Sequence, residues 1–88
     1  MLLGIDLGTS SVKALLLDTD GTVVSEAACA YAVKAPYPGC AETDPEQWWS
    51  AVAIAVKNAV KNPKDPRAIA LSGQMHGVVL TDAEGIPL

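Results

Sequence analysis

Basic residues are scarce in this sequence. Six Lys and Arg stand against ten Asp and Glu, for a formal net charge of -4. That balance argues against nonspecific binding to nucleic acid or to an anionic membrane. It still allows a local phosphate site, because backbone N–H groups bind phosphate in acidic proteins too. Cysteine is limited to Cys29 and Cys40, with no CxxC spacing and no His/Cys cluster around them. They read as two reduced, partly buried thiols. The only histidine is His76. The N-terminus lacks a basic region, and Asp6 interrupts its short apolar run. No signal peptide or membrane span is predicted, and a cytoplasmic location is expected.

Half of the 88 residues are hydrophobic. This is enough for a core, but a chain of this length buries only about 60–65% of its unfolded surface and is marginal as a domain. Leu2 to Leu7 and Val12 to Leu17 read as strands. Asp20-Gly21 is a turn signal, and alternation from Val23 to Val33 predicts a third strand with Val23, Ala27, Cys29, Tyr31 and Val33 on one face. Short connections make these three an antiparallel meander. "APYPGC" breaks the pattern. In "ETDPEQWW", Asp44 suits an N-cap, Pro45 the first helical position, and Gln47 a capping-box spacing. The helix is expected to end near Asn62-Pro63. Its apolar face is read as Trp49, Val52, Ala53, Val56 and Val60, with Ser50, Lys57 and Lys61 opposite.

"AIALSGQ", from Ala68, predicts a fourth strand, parallel to a neighbour because a helix intervenes. "VVLTDAEGIPL" reads as a hairpin turning at Ala83-Glu84-Gly85. Leu88 falls where the second hairpin strand should begin, so residues 1–88 are expected to be the front part of the first domain of a longer protein. The order of a three-strand meander, helix, parallel strand and hairpin predicts an α/β fold. It fits a ribonuclease H-like, actin-like ATPase half-domain.

The chemistry concentrates in "GIDLGTSSVK", residues 4–13. A carboxylate buried among Leu3, Ile5 and Leu7 would cost several kcal/mol unless compensated. In a ligand-binding reading, Gly8 lets the turn approach a ligand closely, and Thr9, Ser10 and Ser11 offer hydroxyls and backbone donors to phosphate. Asp6 can hold Mg²⁺ through water, and Lys13 adds positive charge. In the plainer reading, "GTSS" is a hairpin turn whose donors Asp6 accepts. The stretch is neither a Walker A loop nor a dinucleotide GxGxxG.

"GIDLGTSSVK" resembles the first phosphate loop of the FGGY family of carbohydrate kinases. "GQMHG", residues 73–77, resembles the sugar loop of the family's xylulose-phosphorylating members. "AETDPEQWW", residues 41–49, resembles the stretch that opens the family's first long helix. The resemblance implies ATP and Mg²⁺ as cofactors and D-xylulose as the acceptor. Asp6 is then the acidic residue supporting activity through the metal, while Gly8, Thr9, Ser10 and Lys13 serve the ATP phosphates. Met75 and His76 contact the sugar, with Gln74 supporting their loop. The general base, an Asp, and the adenosine site are implied in later parts of a full-length kinase, so the 88-residue chain alone is expected to be inactive. Homodimerisation of the full protein, or association of the short chain, is a further expectation.

Two other readings remain open on sequence. One is an FGGY kinase for ribulose, glycerol or gluconate, and the other a small non-enzymatic binding module. Trp48 and Trp49 could form a sugar-stacking platform, but helical spacing assigns Trp49 to the core and Trp48 to its flank. Asp44 is explained as a cap rather than half of a carboxylate pair with Glu42. Asp18, Asp20 and Asp82 sit at turn signals.

Overall fold

The computed structural model describes residues 1–35, 37–39, 42–73 and 78–88. β1 (Leu2–Leu7), β2 (Ser11–Leu17) and β3 (Val23–Ala30) are followed by α1 (Pro45–Ala59) and β4 (Ala68–Gly73). The sheet order is β3-β2-β1-β4. The first three strands run antiparallel, and β4 lies parallel to β1, as the sequence predicts. Asp18 and Gly21 close the β2–β3 turn, where Gly21 adopts φ 87°. Positive φ is a region that glycine enters at little cost. The hairpin over 80–88 forms as expected. Asp82 accepts from the Glu84 and Ile86 N–H groups, and Thr81 pairs with Pro87.

β3 ends three residues short of the expected boundary at Val33. Ala27, Cys29 and Tyr31 do face inward, but Val23 and Val33 are exposed. Cys29 is a half-buried free thiol. The expectation for Cys40 lies outside the described residues.

α1 begins where predicted. The Asp44 carboxylate accepts from the Glu46 N–H at 3.0 Å, and Pro45 occupies the first position. Gln47 joins through its backbone, donating to the Asp44 carbonyl at 2.9 Å. Asp44→Ala is expected to destabilise the chain by about 1 kcal/mol, read from the urea midpoint. Asp44→Asn should avoid most of that loss, because its side-chain oxygen still caps.

The helix ends at Ala59, earlier than expected. A residue before proline is pushed out of the α region, which excludes Asn62 from the helix. Asn62 instead accepts from the Lys64 N–H and, through its carbonyl, from the Asp65 N–H.

The helix phase also differs from the expected one. Ala51, Ala55 and Ala59 are the buried residues of α1, and they cluster with Leu3, Val12, Ala14 and Tyr31. Trp48 packs against that cluster, whereas Trp49 is 70% exposed. Trp49 is therefore not a core residue of these 88. A row of alanines lets the helix backbone lie close to the sheet, which turns the bulkier residues to the flank.

α1 packs mainly over β2 and β3. This leaves an apolar groove of about 640 Å³ between α1, β1 and β4, lined by Ile5, Leu7, Val52, Val56, Ile69 and Leu71 among others. No helix among the described residues is long and apolar enough to cross a membrane.

Candidate functional site

Strand alternation settles where Asp6 points. Leu3, Ile5 and Leu7 turn towards the helix side, so Gly4 and Asp6 turn to the open face. Asp6 is exposed, and the cost of burying a carboxylate does not arise. Its register neighbours are Lys13 on β2 and Ser72 on β4. The three line a shallow concavity of about 220 Å³ with Gly4, Leu15 and Ala70. An acid, an ammonium and a hydroxyl therefore share one row across the sheet.

One residue beyond β1, the chain turns through Gly8, Thr9 and Ser10. The Gly8 N–H donates to the Ser11 carbonyl at 2.9 Å. A side chain at Gly8 would put its Cβ 3.1 Å from that same oxygen, so the turn has little room for one. Thr9 and Ser10 are exposed. Their backbone and hydroxyls project at the carboxyl end of β1, which is also the carboxyl end of the parallel strand β4. Ligands of open α/β sheets bind at such an end. The structure thus brings Asp6 and Lys13 together on the open face, next to the strand end where Gly8, Thr9 and Ser10 form the turn. Gln74, Met75 and His76 lie outside the described residues. They follow Gly73, which pairs with Leu7 beside the turn.

Among the described residues, no three His, Cys, Asp or Glu side chains converge. The donor set at this site is one exposed carboxylate beside a glycine-hydroxyl turn. It fits Mg²⁺, which keeps several waters and is held by one or two carboxylates together with substrate phosphates. It does not form an all-protein cage.

Two residues to which sequence reasoning gives no part in the site, Tyr31 on the inward face of the third strand and Trp48 at the helix flank, belong to the underside of this turn. Tyr31 is 8% exposed. Its hydroxyl donates to the Gly8 carbonyl, and its N–H donates to the Ser10 carbonyl at 3.0 Å. Burial raises the phenol pKa, and the nearby Asp6 charge raises it further. Trp48 exerts a weaker opposing pull on that phenol. Its Nε1–H is buried and closes no hydrogen bond of its own among the described residues. The signal for Tyr31 was present in the alternation Ala27–Cys29–Tyr31. That pattern marks an inward side chain but not the turn above it.

Comparison with known proteins adds four findings. The model of the FGGY family of carbohydrate kinases, N-terminal domain, matches residues 1–88. The xylulose kinase of Escherichia coli K12 is 44% identical over 86 residues, covering 96% of this chain and 18% of that protein. Among solved structures, a xyloylose kinase of Brucella ovis superposes with a TM-score of 0.89 at 45% identity, over 97% of this chain and 19% of that one. A gluconate kinase of Lactobacillus acidophilus gives a TM-score of 0.88 at 27% identity, over 99% and 18%. The chain thus spans about a fifth of the length of the relatives it matches.

Proposed function

We propose that this chain, which belongs to the FGGY family of carbohydrate kinases, is the front of an ATP-dependent kinase that phosphorylates the 5-hydroxyl of D-xylulose. The observation that carries the reading is the placement of Asp6. It is an exposed carboxylate on the open face, one strand end away from a turn with outward hydroxyls and across from Lys13. A buried or self-satisfied Asp6 would have favoured the plain hairpin reading.

Phosphoryl transfer requires positioning and charge neutralisation more than covalent chemistry from the protein. Asp6 would hold Mg²⁺ through water, and the metal when bound would offset phosphate charge. Gly8 permits close approach, Thr9 and Ser10 donate to phosphate oxygens, and Lys13 adds a positive charge. Met75 would pack on the sugar carbons, and His76 would hydrogen-bond a sugar hydroxyl, with Gln74 supporting the loop. The Asp that accepts the proton of the attacking hydroxyl belongs to a later part of the full-length protein in this reading. The 88 residues alone are therefore proposed to be inactive, and the whole protein cytoplasmic.

A coupled ATP assay of the full-length protein with D-xylulose, ribulose, glycerol and gluconate tests the reading. D-Xylulose should be preferred, and His76→Ala should raise its KM by about tenfold, the loss of one or two buried hydrogen bonds. Preference for gluconate would favour the second reading, which the Lactobacillus acidophilus likeness supports. Phosphorylation of none of the four would overturn the kinase reading.

A further inference from the structure

The peptide plane between Gly8 and Thr9 can face a bound phosphate in two ways. With its N–H outward it donates, and with its C=O outward it repels. In a planar trans peptide the two groups point in opposite directions, so fixing one fixes the other. Here two carbonyls of the turn, those of Gly8 and Ser10, are tied down by a single residue. Tyr31 donates its hydroxyl to the Gly8 carbonyl and its N–H to the Ser10 carbonyl. The Thr9 and Ser11 N–H groups are thereby aimed away from Tyr31. An outward Thr9 N–H of this kind is a backbone donor that an anion at the turn can use.

The two ties differ in kind. The bond from the Tyr31 N–H extends the β2–β3 pairing and would survive a change of side chain. The bond from the hydroxyl spans 23 residues and depends on this phenol alone. The Gly8–Thr9 plane is the freer of the two, since glycine lowers the barrier to reorienting it. The phenol is well placed to act as a permanent donor, because burial and the Asp6 charge both keep it protonated.

We propose that Tyr31 is a positioning residue for phosphate recognition, whose hydroxyl holds the Gly8–Thr9 peptide with its N–H facing the bound phosphate. The inference rests on the kinase reading for the identity of the anion, not for the geometry. Tyr31 touches neither substrate and acts through the Gly8 carbonyl.

The test compares Tyr31→Phe and Tyr31→Leu with wild type in the full-length protein. Phenylalanine keeps the buried ring and removes only the donor. Tyr31→Phe should weaken Mg·AMP-PNP binding by about fivefold in calorimetry and raise the ATP KM similarly, the loss of one hydrogen bond. The D-xylulose KM should stay within about twofold of wild type, a margin under the roughly fivefold change that one lost hydrogen bond gives. Amide exchange of the peptide spanning Gly8–Ser11 should quicken severalfold. Tyr31→Leu should add a loss of stability to these effects. Unchanged nucleotide affinity and exchange in Tyr31→Phe would overturn the inference, as would an equal rise in both KM values. If wild type phosphorylates no sugar, the kinase reading falls. The exchange comparison then decides the latch on its own: faster exchange in Tyr31→Phe upholds it and unchanged exchange overturns it.

Discussion

Asp6→Asn is expected to lower kcat of the full-length kinase by about 10²–10³-fold, equivalent to about 3–4 kcal/mol of transition-state stabilisation. The substitution is nearly isosteric and the position is exposed, so stability should change by no more than about 0.5 kcal/mol. The lost property is charge. A carboxylate beside the phosphate turn is useful only when a cation lies between it and the phosphates, since otherwise it repels them. Asparagine cannot order the water shell of Mg²⁺ as a carboxylate does, so the Mg²⁺ concentration for half-maximal rate should rise as well. The D-xylulose KM should hardly move, because the proposed function puts Asp6 and Lys13 on the phosphate side of the site. Steady-state assays across a Mg²⁺ series separate these effects. Retention of more than half the wild-type turnover would mean that the turn is only a turn.

The way Asp6 faces was legible in six residues. Period-two alternation places Leu3, Ile5 and Leu7 on one side and Gly4 and Asp6 on the other, and the sheet follows it. The parallel placement of β4 was equally readable, since a helix between two strands allows few other returns. The start of α1 was legible because Asp44 and Pro45 are local signals.

What escaped was any property set by distance between elements. Tyr31 lies far along the chain from Gly8, and no periodicity marks a hydroxyl-to-carbonyl contact over such a separation. Trp49 and Trp48 differ by one residue, or about 100° around a helix. The pattern of large apolar residues favoured Trp49, while close packing of small ones brought Trp48 inward. The bulky apolar residues Val52 and Val56, with Trp49, line the side groove instead. The stretch 73–77 shows the opposite case. Its chemistry is legible in the "GQMHG" motif through resemblance alone, while Gln74, Met75 and His76 lie outside the described residues.

Ala55→Leu carries the second large expected effect. Ala55 is fully buried and clusters with Val12 and Ala14, which are also fully buried. Three added heavy atoms have no void to enter there. Either the helix lifts from the sheet or side chains leave their rotamers, and overpacking of this kind costs about 1–3 kcal/mol. The upper part of that range is expected here, since the row Ala51–Ala55–Ala59 offers no larger residue that could shrink in compensation. Asn58→Leu places the same leucine at an exposed site of the same helix and should stay within about 0.5 kcal/mol. Urea midpoints at unchanged m-value measure both. The consequence should extend to the site. Trp48 rides on the first turns of α1 and packs with the cluster that contains Tyr31. A lifted helix withdraws the support behind the phenol that ties down Gly8. Nucleotide affinity should therefore fall along with stability in Ala55→Leu, while Asn58→Leu leaves it unchanged. Equal midpoints for the two variants would show that the alanine row does not set the height of the helix above the sheet.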